Sequence, residues 1–416
     1  MTMPKRNDKL LLMGCSFGTQ DALNYAKSQG IYTIVTDHLP PEQQPLKLQA
    51  DAYWMCDVKD LDTLEQNCRR AGVTGIFGGT SEFCLDYTKA LCKRLGLSFY
   101  ASEEGWAVSR DKELFKQHCS ACGLDVPRQY EISADGPLPA DLRWPVIVKP
   151  VDACASMGIS VCRNADELRK GYTFAQSHSA SGRVIVEDFM EGDEVHALYL
   201  LQEGHAELVS FLDISYIEIE GRNVPAYGDF QSKYQAEYEK EAGHKVLRLL
   251  KAMDCVNGAV FFQMIRQNGR YYFIEMGYRL NAGASWRVEE KLKGTNSLQS
   301  MVDLAVGRHP LRSCEADQVL YPCGGMYFLW SRPGRVASIR GLDEVRAMDG
   351  LEIVLQNFKA GDQIPQEISM RQVVCKIAVF GQTEEVIRRK IERINATLHM
   401  YDTAGHEMLH YVTALK

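Results

Sequence analysis

Residues 271–283 read Tyr271-Tyr-Phe-Ile-Glu275-Met-Gly277-Tyr-Arg279-Leu-Asn281-Ala-Gly283. An acid in so apolar a run is costly unless it is paired or metal-bound. Glu275 is therefore the most informative position in the chain. A second apolar run, Ala259–Ile265, lies just upstream and carries Gln263. Asn268-Gly269 between the two runs is a strong hairpin signal. An amide oxygen and a carboxylate are hard ligands suited to Mg²⁺, and Arg279 is placed to neutralise charge on a transferring phosphoryl group. The hairpin sets a condition on this pairing. A strict two-residue turn puts Gln263 opposite Ile274, and side chains alternate faces along a strand. Gln263 and Glu275 share a face only if a three-residue loop, Asn268-Gly269-Arg270, or a bulge restores the register. We expect the odd-length connection, with Arg279 just beyond the strand end.

Two further clusters precede the hairpin. Pro145-Val-Ile-Val-Lys149-Pro150 is a strand ending in lysine, and a loop of small residues follows with Ser156 and Gly158. A point charge beside closely approaching backbone N–H groups makes a phosphate cradle. It is not a P-loop, because no helix N-terminus follows and G-x-x-x-x-G-K is absent. Read alone, Lys149 is an exposed strand-end lysine whose removal costs little stability. The next cluster is Val184-Ile-Val-Glu187-Asp188-Phe189-Met-Glu191-Gly192-Asp-Glu194. Free backbone groups after this strand could read an adenine edge, and Glu194 is a good acceptor for ribose hydroxyls. The bland reading is a solvated acidic turn.

Outward from these clusters, strand and helix patterns alternate from the start, which favours α/β layers. Leu10–Met13, Ile31–Val35 and Gly75–Phe77 read as strands of a small Rossmann-like parallel sheet over residues 1–98. Gly14-x-x-x-Gly18 lacks the full dinucleotide fingerprint. Gly78-Gly79-Thr80-Ser81-Glu82 stands where an open α/β sheet binds ligands. Asp111–Cys122 is helical, and Glu239–Met253 is an amphipathic helix. Tyr216–Tyr238 has weak periodicity and reads as a mobile flap. From about Leu311 the pattern changes to short strands with glycine turns, closed by a helix over Thr383–Leu398. Cys119-x-x-Cys122 has no second pair and reads as packing.

The 416 residues carry a net charge of −7, with 45% hydrophobic and 24% charged residues. That composition suits a multidomain globular protein and argues against a nucleic-acid or membrane-surface binder, since both need basic fields. No apolar run approaches the roughly 18 residues of a membrane span. The 13 cysteines are scattered and odd in number, as in a cytoplasmic protein with reduced thiols.

The three clusters in this order resemble the ATP-grasp superfamily of ligases. The likeness rests on Asp111-Lys112, Val148-Lys149-Pro150, Val186-Glu187, Glu194, Gln263 and Ile274-Glu275. It implies an α/β and α+β multidomain protein: a Rossmann-like pre-ATP-grasp domain (1–98), a two-part ATP-grasp domain (99–310, hinged near 183 between lid and palm) and a C-terminal α+β domain (311–416). By the resemblance Lys112 and Lys149 contact the phosphates of ATP, with Ser156 and Gly158 in the cradle. Glu187, Asp188 and Phe189 form the hinge around adenine, and Glu194 holds the ribose. Gln263 and Glu275 bind Mg²⁺, one ion or two, and Arg279 assists catalysis at the γ-phosphate and the acyl phosphate. Glu82 is a candidate for the acceptor substrate. The family usually reads Glu-x-Asn-x-Arg, whereas Gly277 here has no side chain to offer a metal. Asn281 or a water is the substitute to consider.

The leading reading is an ATP-dependent carbon–nitrogen ligase of the cytoplasm, a homodimer among its allowed states. Its partners are a small-molecule carboxylate and an amine, without nucleic acid or membrane. The alternatives are a bicarbonate-activating, carboxylase-like or carbamoyl-phosphate-forming enzyme and a non-catalytic ATP-binding module. Positioning and charge neutralisation suffice for the first, which fits the absence of a persuasive nucleophile–base arrangement.

Overall fold

The computed structural model describes residues 7–133, 136–153, 157–308 and 319–412. Strands β1 (Lys9–Met13), β2 (Tyr32–Asp37), β3 (Ala52–Met55) and β4 (Gly75–Phe77) form a parallel sheet in the order β3-β2-β1-β4. The unbroken apolar run of β1 follows from burial on both faces. Leu10 and Leu12 join one core cluster, while Leu11 and Met13 join another. Chain direction around the sheet reverses between β1 and β4. The loops that leave these two strands carry Gly14–Gly18 and Gly78–Ser81, at the switch point where such sheets bind ligands.

The second sheet is antiparallel, with β5 (Gln129–Tyr130), β6 (Val146–Pro150), β7 (Ser160–Cys162) and β8 (Val184–Asp188) in the order β5-β8-β6-β7. The helix Ala165–Ser177 covers it and closes a small core through Val146, Val148, Leu168 and Val186. Asn164 caps that helix by accepting from the Glu167 N–H.

The third and largest sheet begins with β9 (Asp193–Gln202), β10 (His205–Ile219), β11 (Arg222–Asp229), β12 (Gly258–Gln267) and β13 (Arg270–Gly277). After residue 318 come β14 (Cys323–Ser331), β15 (Gly334–Arg340), β16 (Leu351–Gln356), β17 (Gln363–Ile364), β18 (Val373–Gly381), β19 (His399–Asp402) and β20 (Leu409–His410). The order is β13-β12-β9-β10-β11-β14-β18-β16, with β20 paired to β14. The C-terminal strands thus share one sheet with the central region through the β11–β14 pair. Strands β17, β15 and β19 stand apart as a three-stranded sheet.

Alternation on the central strands divides two cores. Val195, Ala197, Tyr199 and Leu201 face a cluster with Phe115 and Leu249 from the helices Lys112–Ala121 and His244–Ala252. Leu198 and Leu200 face the opposite cluster, which includes Leu10 of the first sheet and Trp286. Each fully buried Leu or Phe contributes about 1.5–3 kcal/mol, so this sheet is held firmly from both sides.

The segment expected as a flap, Tyr216–Tyr238, is mostly sheet. Strand β10 runs on to Ile219 and pairs with β11 from Asp213 to the end. Beyond Ile214 it has left β9 behind and continues as a two-stranded ribbon. The residues alternate there, with Tyr216 and Glu218 exposed and Ile217 and Ile219 turned inward, a strand pattern that a flap does not require.

Candidate active site

The hairpin meets the condition set by its sequence, by a different route from the one expected. The connection is the two-residue turn, not the three-residue loop: Gln267 pairs with Arg270. Asn268 and Gly269 both adopt positive φ, at 52° and 74°, as a type I′ turn requires. A register shift then intervenes between the pairs Met264–Phe273 and Gln263–Glu275. Ile274 is the extra residue. This bulge puts Gln263 directly opposite Glu275, on the face away from Phe262, Met264 and Phe273 of the core. Arg279 lies two residues past the end of β13.

Gly277 pairs with Phe261. A Cβ built there would lie 2.3 Å from the Phe261 ring. The ring therefore occupies the space a side chain at 277 would need, which gives a steric reason for the glycine. The same ring lies 5.0 Å below the Arg279 guanidinium. Asn281, the candidate substitute, accepts from the Gly283 N–H at 3.1 Å and so stabilises its own loop.

Lys112 opens the helix Lys112–Ala121, whose cap is Asp111. The Asp111 carboxylate accepts from the N–H groups of Glu113 and Leu114 at 2.9 and 3.0 Å. That cap aims Lys112 at the hairpin. Its ammonium lies 3.3 Å from Glu275 and donates to the Ala153 carbonyl at 2.6 Å.

Lys149 ends β6, but it is not the exposed lysine of the bland reading. Only 3% of its side chain is exposed, and it pairs with Glu187 at 2.7 Å. Glu187 is wholly buried and also pairs with Lys116, one helical turn after Lys112. The expectation that removing Lys149 costs little stability is overturned, because Glu187 would lose a buried partner. Burial pushes the Lys149 ammonium down to about 8, with the nearby Lys112 charge adding to the effect. Burial also drives the Lys116 ammonium well below its ordinary value, with Lys149 adding to it.

The stretch after β8 differs from expectation in one respect. The N–H groups of Asp188 and Phe189 are not free, since they donate to Arg128 and Pro145 carbonyls at 2.9 and 3.1 Å. The Asp188 side chain accepts from the Tyr130 hydroxyl at 2.5 Å. Gly158 has φ +72°, and a Cβ there would lie 2.7 Å from Pro150, so the cradle closes tightly only with glycine. Ser156 lies outside the described residues.

Glu194 starts β9 on the Gln263 face. It accepts from the Tyr216 hydroxyl and lies 2.7 Å from His196 Nε2. Burial raises its carboxyl, but the contacts with His196 and Tyr216 outweigh this and hold it below the usual range. Across the site, Glu82 takes Arg279 in a double hydrogen bond, with Nε at 3.1 Å and Nη2 at 2.9 Å, and pairs also with Arg110. The acid at the switch point of the first sheet and the arginine past the β12–β13 hairpin are thus direct partners.

Lys116, His196, Tyr216 and Arg110 are the site residues that the sequence reading did not single out. Lys116 carried one usable signal, its i+4 spacing from Lys112 on a capped helix. The other three become visible only once strands are paired.

The chain matches the D-ala D-ala ligase C-terminus family over residues 132–276 and the L-amino acid ligase C-terminal domain 2 family over residues 326–401. These two matches flank and include the hairpin. Together they indicate an ATP-grasp ligase. It is 21% identical to dapdiamide A synthase of Enterobacter agglomerans, over 74% of this chain and 75% of that one. It is 24% identical to the propionyl-CoA carboxylase alpha chain of Sus scrofa over 42% of its length, and spans only 24% of that protein. In fold it resembles the L-amino acid ligase from Bacillus licheniformis, with a TM-score of 0.79 at 18% identity, covering 96% of this chain and all of the other. No helix among the described residues is long and apolar enough to cross a membrane. The eleven cysteines among the described residues are free.

Proposed function

We propose that this ATP-grasp ligase activates a small-molecule carboxylate as its acyl phosphate and joins it to an amine, releasing ADP and phosphate. The observation that carries this reading is the pair of exchangeable ionic contacts past the β13 bulge, Lys112 with Glu275 and Arg279 with Glu82. Each holds a cation beside an acid, on the side of the sheet that carries Gln263. The matches to D-ala D-ala ligase and L-amino acid ligase families support amide formation.

In this reading Lys112 and Lys149 bind the phosphates, with Gly158 keeping the cradle tight. The stretch Glu187–Phe189 borders the adenine, and Glu194 holds the ribose. Glu187 acts through Lys149 by fixing the ammonium where phosphate oxygens arrive. Gln263 and Glu275 fit Mg²⁺, being two oxygen donors directly opposite on one face. Among the described residues no group of three or more His, Cys, Asp or Glu adds to them. The metal, as one ion or two, supplies charge neutralisation at the phosphates. A carboxylate oxygen attacks the γ-phosphorus and ADP leaves. The amine then attacks the acyl carbon, phosphate leaves and the amine nitrogen gives up a proton. Arg279 neutralises the charge that builds in both steps, and Glu82 positions Arg279. The free thiols support a cytoplasmic setting, and light scattering of the purified chain tests for a homodimer.

The test is phosphate release from ATP with a panel of carboxylates, each with and without amines, and mass detection of the amide. Release that requires both substrates is expected. Release driven by bicarbonate instead would assign the site to carboxylation, and tight ATP binding without release would make it a sensor.

A further inference from the structure

The largest sheet carries a cavity beside β10, lined in part by side chains turned away from the Gln263 face. Asp213 shares its side of β10 with Phe211, which packs in the same core cluster as Phe262 and Met264. The cavity, about 280 Å³, lies where β10 and β11 meet the first turn of the helix Glu384–Thr397. Asp213, Asp229 and Glu384 all line it. Asp213 and Asp229 are direct cross-strand partners, and like charges directly opposite destabilise a sheet. Their donors are local: Asp213 accepts from the Ser232 hydroxyl at 2.5 Å, with the Lys233 N–H also turned to it, and Asp229 accepts from the Gln231 N–H at 3.0 Å. Neither has an ion-pair partner within 4 Å among the described residues. Burial pushes both carboxyls up.

A second observation is independent of the acids. Tyr227 lines the same cavity, two residues before Asp229 and on its side of β11, and is only 5% exposed. Its hydroxyl has no hydrogen-bond partner among the described residues, whereas a buried tyrosine normally finds one. Asp229 and Glu384 are near enough to help burial raise the phenol. Of the two cations of the lining, Lys233 stands 4.8 Å over the Tyr234 ring, near enough to attract Asp213 and Asp229 without forming an ion pair with either, and Arg388 donates to Glu385 at 2.9 Å.

We propose that this cavity binds the ammonium group of a small organic amine. The Asp213 and Asp229 carboxylates and the Tyr227 hydroxyl oxygen are three acceptors for its three N–H donors. The bound cation would relieve the carboxylate pair and give the tyrosine its partner. The cavity adjoins the site of the proposed function, since Asp193 and Glu194 also line it, but Asp213, Asp229 and Tyr227 take no part in the ATP chemistry.

The test is calorimetric titration of the full chain, without nucleotide, with 1,4-diaminobutane and with L-alanine. Potassium and magnesium chloride serve as controls. We expect one equivalent of amine to bind, and the affinity to fall at least about tenfold in Asp229→Asn, through loss of a charge-assisted contact. Tyr227→Phe should weaken it as well. Glu275→Gln should leave it unchanged, which separates this cavity from the ATP site. Asp229→Asn should also melt higher than the unaltered chain when no amine is present. Binding of the diamine alone assigns the cavity to the ammonium group only. Binding of L-alanine too assigns a carboxylate contact to Lys233 or Arg388. No heat with either probe, equal heat with potassium, or unchanged binding in both Asp229→Asn and Tyr227→Phe overturns the proposal.

Discussion

Two lysines approach the same ligand space from different surroundings. Lys149 is enclosed with Lys116 around the wholly buried Glu187. Lys112 sits at a helix start against Glu275, whose side chain is 31% exposed. Breaking a buried pair leaves a charge that water cannot reach, whereas a pair whose acid is open to water gains less from its own attraction. The first arrangement therefore reads as preorganisation, an ammonium held in place at a cost to the fold. The second reads as a stand-in, a contact that phosphate and metal replace when they arrive.

The largest effect expected from this contrast is on stability. Glu187→Ala leaves two buried ammonium groups without their acid, and removing one partner of a buried pair costs about 3–5 kcal/mol. A fall in the thermal midpoint is the readout. A variant that melts with the unaltered chain would show that the trio does not hold the fold. Glu275→Ala should do the reverse. Its midpoint should hold, while turnover falls about 10²–10³-fold, the typical loss when one electrostatic stabiliser of a transition state is removed. Phosphate release with saturating substrates reads this out. A large loss of stability in Glu275→Ala would erase the distinction between the two lysine environments.

Much of this was legible in the residues. The β1 run, the Asp111 cap and the Asn268-Gly269 turn each follow from local rules that the fold obeys. The bulge at Ile274 was visible only through function, because nothing in Tyr-Phe-Ile-Glu-Met marks an extra residue. It was the need for Gln263 and Glu275 to share a face that required an irregularity, and the turn chemistry then decided where it fell. Lys149 was misread because a strand-end lysine is ordinarily solvated, and its burial depends on Glu187 and Lys116, 38 and 33 positions away in a sheet and a helix whose meeting no local pattern encodes. Tyr216 was hidden for a related reason. Ile217 and Ile219 alternate with Glu218 and Glu220, but so short an alternation does not say which strand it pairs with or what Tyr216 meets.

The enclosed lysine also predicts a pH dependence. The Lys149 ammonium is depressed to about 8, first by burial and then by Lys112. In the free enzyme it therefore loses its charge as the pH rises through 8, and its attraction for phosphate goes with it. The value of kcat/KM for ATP should fall above about pH 8, because that ratio reports the free enzyme. The kcat limb should persist to higher pH, since bound phosphate holds the proton on. For stability the sign is opposite. A lysine depressed in the fold and ordinary in the unfolded chain costs stability while both states are protonated, and that cost is relieved as pH rises from about 8 towards the unfolded value. A pH profile of kcat/KM that stays flat to pH 9 would remove Lys149 from the phosphate site.

The smallest effect belongs to Glu194, and it tests whether the face carrying Gln263 is used beyond the phosphates. Glu194 accepts from Tyr216 and meets His196 at 2.7 Å, so its carboxylate is already oriented before any ligand binds. A ribose hydroxyl stays the same distance from the reacting phosphorus throughout the transfer. An acceptor for it therefore contributes equally to ground and transition states, and uniform binding of this kind appears in KM alone. One hydrogen bond to a charged acceptor is worth about 1.5–3 kcal/mol, so Glu194→Ala should raise the KM for ATP by about ten- to a hundredfold, with kcat nearly unchanged. Tyr216→Phe should follow in the same direction by less, because it loosens the carboxylate without removing it. The split between the two constants decides the matter. A fall in kcat at unaltered KM would mean that Glu194 senses the chemistry, and that the nucleotide lies along the strand in the opposite direction.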